Sequence, residues 1–264
     1  MPREKTYRTE AIVLRRTDFG EADRLLTLYS RDYGKIRAIA KGARKPQSRK
    51  TGHVELFMRT NFFIATGRDL DIITQVETVD TYAPLRQDLV RATYAAYMVE
   101  LLDRFTPDED KHIALYDLLR DALGWLAAEE DVRLAARYYE LRLLSQVGYQ
   151  PQLFQCVVSG DPIEEQDQFL SAELGGLIAP GYEDADRRAR PVSAVVVKVL
   201  RYLQTRSWDT VRALKLKNPL HRELEAAMHF YLIYILEREL KSVDFLHRLR
   251  HEVASGTLPW ESNE

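Results

Sequence analysis

The sequence predicts an α+β protein, with a small β-barrel up to about residue 80 and an all-helical domain after it. Three observations support this. Apolar residues alternate with polar ones in short runs before Pro84, and they recur every three or four residues after it. Between residues 149 and 191 neither period holds, and prolines and the Gly175-Gly176 pair interrupt the chain. We therefore expect an irregular insert within the helical part.

Five short strands account for the first part. The run around Ile12 is the first, and alternation at Leu26 and Leu28 indicates the second. A third follows the tight turn at Gly34, and two more flank a turn at Gly67. Five short strands in about 80 residues are typical of a closed or nearly closed barrel, most often an OB-fold.

Helical periodicity begins after Pro84, in the run LRQDLVRATYAAYMVELLDRF. Thr106-Pro107-Asp108-Glu109 reads as a capping box that opens a second helix. A third helix is predicted over 132–147, and two more in SAVVVKVLRYLQ and after Asn218-Pro219. The predicted organisation is a barrel domain, a helical domain, an insert and a frayed tail, at 1–82, 83–250, about 149–191 and 251–264.

Charge is distributed unevenly along the chain. Residues 1–60 hold 15 Lys/Arg against 7 Asp/Glu, a net of +8. The whole chain sums to −2, so residues 61–264 sum to −10. A basic first part on an acidic remainder indicates a localised site for a polyanion, although a solvated basic surface would leave the same pattern.

Several classes of protein are excluded or disfavoured by composition. No apolar run reaches the roughly 20 residues of a membrane span, and the polar start MPREKTYRTE does not resemble a secretory signal. The single cysteine, Cys156, precludes a disulfide within the chain and favours the reducing cytoplasm. We expect a cytoplasmic, nucleoid-associated protein without a membrane partner.

The sequence offers no catalytic constellation. The stretch GARKPQSRKTG ends like a phosphate loop, but Arg44 and Arg49 stand where close backbone approach needs glycine. His247 and His251 have zinc-compatible helical spacing, yet arginines flank them and no third ligand is near. Cys156 has no neighbouring base, so it reads as a small buried hydrophobe. We predict no enzyme activity, no cofactor and no metal.

The stretch AKGARKPQSRKTG, residues 40–52, carries five cations and no acidic residue. Long cationic side chains on a strand and the flexible loop after it can track a phosphate backbone without reading sequence. The aromatics Tyr33, Phe57, Phe62 and Phe63 could stack on unpaired bases or fill the barrel instead; Phe62 and Phe63 must face opposite ways. The predicted DNA-binding residues are Lys35, Arg37, Lys41, Arg44, Lys45, Arg49, Lys50, Arg24 and Arg15.

The chain resembles the RecO family of DNA repair proteins. The resemblance rests on Gly20-Glu21-Ala22-Asp23-Arg24-Leu25, Gly34-Lys35 and Ala40-Lys41-Gly42-Ala43-Arg44. It continues in ELRLLSQVGYQPQL at 140–153, in Gly175-Gly176 and in LERELKSVDFLHRL at 236–249. The motifs follow the family's order over nearly the whole chain.

The resemblance implies a recombination mediator with an N-terminal OB-fold and no catalytic turnover. Such a protein binds single- and double-stranded DNA, anneals complementary strands, and acts with RecR and single-strand-binding protein to help place RecA. Many family members hold zinc in the insert through two C-x-x-C pairs. Here those positions are Cys156, Ser159, Ala179 and Tyr182, so we predict that apolar packing by Leu153, Phe154, Leu177, Ile178 and Tyr182 replaces the metal.

Two other functions remain open at this point. The acidic helical part could serve a protein-assembly adaptor whose basic barrel docks an acidic partner surface. An OB-fold could equally bind RNA without annealing activity. Binding of naked DNA at moderate salt, and competition between RNA and DNA, separate these from the leading hypothesis.

Overall fold

The computed structural model describes residues 5–48 and 50–236. These residues form two compact units, one reaching Ala128 and the other beginning at Glu129. The predicted α+β class, with a five-stranded barrel followed by helices, is confirmed. The predicted domain boundary at residue 82 stays a prediction. Within the described residues, no helix has the length and apolar content that a membrane crossing needs.

Five strands close the barrel of the first unit in the order β1-β2-β3-β5-β4. They are β1 (Thr6–Phe19), β2 (Asp23–Ser30), β3 (Gly34–Ala40), β4 (Arg59–Ala65) and β5 (Asp71–Asp80). All neighbouring pairs are antiparallel except β3 and β5, which pair in parallel through Ala38↔Asp71 and Ile39↔Ile72. This order, with β1 also pairing β4, is the OB-fold arrangement that the sequence predicted.

The barrel core consists of the inward members of the alternating runs. Leu26 and Leu28 on β2 oppose Ala38 and Ile36 on β3, which fixes the register of the sheet. Phe62 on β4 belongs to this core, whereas its neighbour Phe63 is only partly buried. This agrees with the prediction that the two side chains face opposite ways.

Among its described residues, the first unit also holds three α-helices: α1 (Pro84–Gln87), α2 (Leu89–Phe105) and α3 (Ile113–Ala128). Asp88 caps α2 by accepting the Arg91 N–H. The predicted capping box at Thr106 is wrong, because α3 begins only at Ile113 and Glu109 adopts a φ of 63°. The residues between α2 and α3 instead run beside β3, where the Glu109 N–H donates to the Lys35 carbonyl at 2.9 Å.

The second unit contains α4 (Val132–Gln146), α5 (Ala194–Thr205), α6 (Trp208–Val211) and α7 (Asn218–Leu236). Asp131 and Ser193 cap α4 and α5. The insert includes a small antiparallel sheet in the order β7-β6-β8, formed by β6 (Gln168–Ser171), β7 (Gly176–Ile178) and β8 (Arg190–Val192). These strands were not predicted from the sequence, because runs of three or four residues are too short to show an alternation of apolar and polar residues.

Candidate nucleic-acid interface

Two of the predicted arginines lie in one row on the outer face of the barrel. Arg15 on β1 pairs with Thr27 on β2, and Thr27 pairs with Arg37 on β3. The neighbouring row, Val13 and Leu28 with Ile36, faces the core, so the arginine row faces outward. The arginine side chains are 68% and 61% exposed, which leaves both guanidinium groups open to a ligand in solution.

The basic loop after β3 is held against the turn between β1 and β2. The Gly42 N–H donates to Asp23 at 2.7 Å, and the Arg44 N–H donates to the Ala22 carbonyl at 2.9 Å. The Arg44 guanidinium also donates to the Gly20 carbonyl at 3.2 Å. Ala43 of the same loop is buried in the barrel core, which also anchors the loop. The loop was expected to be flexible, but these contacts fix its first residues in place while Lys41, Arg44 and Lys45 remain exposed.

Lys35 is not part of the exposed surface, although alternation correctly places it on the outer face. Its ammonium donates to the carbonyls of Asp103 and Thr106, both at 2.8 Å, and to the Asp103 carboxylate at 2.9 Å. Asp108 lies 3.5 Å away. The end of α2 and the residues after it therefore cover Lys35 and use its charge internally. These contacts favour a structural role for Lys35, so we leave it out of the proposed contact set, and its predicted DNA-binding role stays a prediction.

Arg24 and Lys50 also turn inward. Arg24 is largely buried and pairs with Glu55 at 3.0 Å and Asp18 at 3.8 Å. The Lys50 ammonium donates to the Ile73 carbonyl at 2.8 Å, and burial lowers its pKa despite an opposing effect of Asp23. Arg24 is largely buried and Lys50 is partly buried, with both charges used by internal partners, so we leave both out of the proposed contact set. Arg49 lies outside the described residues.

Five predicted residues therefore remain as the outer cationic surface. They are Arg15, Arg37, Lys41, Arg44 and Lys45. Each of the three arginines has a carboxylate partner. Arg15 pairs with Asp103 at 3.0 Å, Arg37 with Asp108 at 3.5 Å and Arg44 with Asp18 at 3.3 Å. Ion pairs this exposed contribute only about 0–1 kcal/mol, so phosphate groups can compete for the guanidinium groups.

The aromatic residues singled out from sequence do not face this surface freely. Phe57 and Phe62 are buried, which favours packing over base stacking, the two roles that the sequence left open for them. Tyr33 packs on Tyr7 with ring centroids 4.6 Å apart, and the Arg8 guanidinium covers the Phe63 ring at 3.7 Å.

A different aromatic residue, Phe19, was not among those predicted, and it is 48% exposed at the end of β1. The signal was present, since a large apolar residue directly precedes the turn glycine Gly20, where polar residues are the rule.

Cys156 belongs to the second unit, where backbone N–H groups surround its thiol. Its buried Sγ accepts the N–H groups of Ala179 at 3.3 Å and Ser159 at 3.5 Å. Burial raises the pKa of this thiol, but the N–H donors outweigh burial and the net pKa is lowered.

Ser159, Ala179 and Tyr182 supply no thiolate or imidazole, so the residues present do not fit a zinc ion. Among the described residues, no group of three His, Cys, Asp or Glu side chains could hold a metal. Leu153, Leu177 and Ile178 are buried as predicted, whereas Phe154 and Tyr182 are exposed and do not form the expected apolar packing. His247 and His251 lie outside the described residues.

The fold and the surface define a class: an OB-type barrel with a cationic outer face, followed in the chain by helices. Comparison with protein families identifies the class further. The model "Recombination protein O N terminal" matches residues 2–82, and "Recombination protein O C terminal" matches residues 86–244. The chain belongs to the RecO family, which confirms the resemblance found in the sequence.

Full-length relatives agree with this assignment. A protein of Roseiflexus sp. (strain RS-1) named DNA repair protein RecO is 40% identical over 255 residues, covering 97% of this chain and 90% of the relative. A protein of Desulforamulus reducens with the same name is 38% identical over 254 residues, covering 96% and 99%. One of Symbiobacterium thermophilum is 34% identical over 247 residues, covering 92% and 98%.

Proposed function

We propose that this RecO-family protein is a DNA repair protein that acts as a recombination mediator and binds single- and double-stranded DNA through the outer cationic surface. The observation that carries the proposal is that Arg15, Arg37, Lys41, Arg44 and Lys45 are exposed on a single β1–β2–β3 sheet and the loop held to its end. The relatives' shared name supports the biological role.

The proposed mechanism is neutralisation of phosphate charge. Cations on a rigid barrel contact the backbone of one strand without selecting its sequence. With part of the strand charge neutralised, a complementary strand meets less repulsion and pairs, so the protein anneals strands without turnover of a substrate. In this role it would act in the cytoplasm at the nucleoid, with RecR and single-strand-binding protein, and assist the loading of RecA.

A charge-reversal variant tests DNA binding directly. Replacing Arg37, Lys41, Arg44 and Lys45 by glutamate should abolish binding of a fluorescein-labelled oligonucleotide in an anisotropy titration, because attraction becomes repulsion. Circular dichroism and urea unfolding establish that the variant is folded.

The matched control reverses four exposed cations of the second unit, at Arg187, Arg188, Lys215 and Lys217. It should retain at least half of the wild-type affinity. Equal loss in both variants would indicate a general effect of net charge, and unchanged affinity in the first would refute the proposal.

Annealing is tested on two complementary strands coated with single-strand-binding protein. We expect the wild type and the control to form duplex and the charge-reversal variant to form none. Binding of naked DNA without annealing would limit the function to DNA binding. Failure to bind naked DNA, or preference for an RNA competitor, would favour an adaptor or an RNA-binding protein instead.

A further inference from the structure

Near its turn to β2, β1 pairs with β2 alone among the described strands, while β2 remains paired with β3 as far as Arg24↔Ala40. β1 pairs with β4 only from Thr6 to Ile12, whereas its pairing with β2 continues to Phe19↔Asp23. All five residues from Arg15 to Phe19 are exposed, on both faces of the strand. Within the described residues, the edge of β1 from Arg15 to Phe19 therefore has no strand neighbour on the side away from β2.

Phe19 occupies the tip of the β1–β2 hairpin. Its side chain is half exposed, and the turn follows directly at Gly20, whose φ of 56° suits glycine. Loop tips usually carry small or polar residues, because a large apolar ring gains little there. A ring in this position is available to an external partner.

The cationic loop is fixed next to this ring. Arg44 donates through its backbone to the Ala22 carbonyl and through its guanidinium to the Gly20 carbonyl, so both ends of the turn are tied to the loop. Arg15 lies four residues before Phe19 on the same face of β1, which corresponds to about 13 Å along the strand. Positive charge thus lies at the turn that follows the ring and, farther away, along the same face of β1.

We propose that Phe19 stacks on an unpaired base of single-stranded DNA whose phosphates contact the outer cationic surface, which makes the protein favour single strands over duplex. This inference rests on the proposed function. Every base has an aromatic face, so stacking tolerates any sequence. In duplex DNA the bases are already stacked within the helix, so Phe19 can add nothing to the phosphate contacts.

The acidic residues of the turn fit this arrangement. Asp18 pairs with Arg44 at 3.3 Å and with Arg24 at 3.8 Å, so its charge is offset locally. Glu21 is exposed at the turn itself. A carboxylate there disfavours a phosphate at the tip, which leaves the tip to the uncharged base and the phosphates to the cations on either side.

The test compares Phe19→Ala with wild type on a single-stranded oligonucleotide and on the corresponding duplex. A stacked base is worth about 1–3 kcal/mol, so single-strand affinity should fall about 5- to 150-fold. Duplex affinity should stay within about twofold, and the salt slope should not change, because no charge is removed. Phe154→Ala, which removes a similarly exposed ring from the second unit, should leave both affinities unchanged.

Phe19→Trp supplies a direct readout. It should restore single-strand affinity and show fluorescence quenching by single-stranded DNA beyond the quenching seen in the wild type. Equal single-strand affinity of Phe19→Ala and wild type would overturn the inference, and so would equal losses on both DNA forms or a loss confined to binding of a protein partner. The proposed function stands in those cases if the charge-reversal variant still fails to bind DNA.

Discussion

Lys35 and Arg37 are two residues apart on β3 and share its outer face, yet the structure assigns them opposite roles. Lys35 donates three hydrogen bonds to the end of α2 and the residues after it, whereas Arg37 is exposed with a single ion pair at 3.5 Å. Replacing each by methionine removes the charge and keeps most of the apolar stem. We expect Lys35→Met to cost stability and Arg37→Met to cost DNA affinity.

The size of the stability loss follows from the groups left behind. Lys35→Met leaves the carbonyls of Asp103 and Thr106 without this donor. An unsatisfied buried acceptor costs about 1–3 kcal/mol, and the Asp103 carbonyl, which is only partly buried, contributes the lower end of that range. The Asp103 carboxylate keeps its contact with Arg15 and is partly exposed, which limits its share. We therefore expect a loss of about 2–4 kcal/mol for Lys35→Met, and within about 0.5 kcal/mol of no change for Arg37→Met.

Urea unfolding followed by circular dichroism measures the first effect, and anisotropy titration with single-stranded DNA, under conditions where each variant is folded, measures the second. We expect Lys35→Met to bind DNA within about twofold of wild type, whereas loss of one phosphate contact in Arg37→Met should reduce the salt slope by about 0.7. A Lys35→Met variant as stable as wild type but deficient in DNA binding would show that the Lys35 charge faces the ligand, and the reasoning would fail.

Three other predictions follow from the structure. Contact with about four phosphates of single-stranded DNA gives a slope of about −3 for log K against log salt, so affinity should fall about 50-fold between 50 and 200 mM salt; a flat dependence would exclude the outer cationic surface. Burial raises the pKa of Asp131, but hydrogen bonds from His221 and the Leu134 N–H outweigh it and lower the net pKa, so its stabilisation is present above its unfolded pKa and lost as pH falls through the folded one. In urea unfolding, Asp131→Asn should thus be less stable than wild type by about 1 kcal/mol at pH 7, and the difference should shrink as the pH falls below the ordinary Asp pKa of 3.8 through the lower folded pKa. Gly34→Ala should cost at least about 2 kcal/mol in thermal unfolding, because its φ is +66° and a Cβ would lie 2.0 Å from the Asp110 carbonyl oxygen, whereas Gly124→Ala in α3, with open space around it, should raise the Tm.

The barrel was predictable because its core residues alternate with outward-facing residues along each short stretch of the sequence. Leu26 and Leu28, and Ile36 and Ala38, fill the interior as the period of two requires. The start of α3 was not predictable in the same way. A capping box at Thr106 is a local preference for starting a helix there. Instead, the Glu109 N–H donates a long-range hydrogen bond to the Lys35 carbonyl, and the helix starts later. Local sequence does not reveal which strand edge will be available as a competing partner.

Long-range contacts also explain why the candidate site was only partly predictable from the sequence. Alternation gives the correct face for Lys35 and Arg37, but the residues that cover Lys35 come about seventy positions later in the chain. Arg24 and Lys50 turn inward because of Glu55 and the Ile73 carbonyl, partners that only the closed barrel brings near. Composition identified the basic region, and tertiary contacts decided which of its charges reach solvent.

The covering of β3 by the residues after α2 determines how the protein can be divided for experiments. Gly34 lies against the Asp110 backbone, and Tyr116 of α3 donates to the Glu10 carboxylate at 2.7 Å. A fragment truncated near residue 82 would lose these neighbours and expose an uncompensated lysine. We expect the shortest well-behaved expression fragment to extend to Ala128, so that studies of the isolated barrel should retain three helices from beyond its last strand.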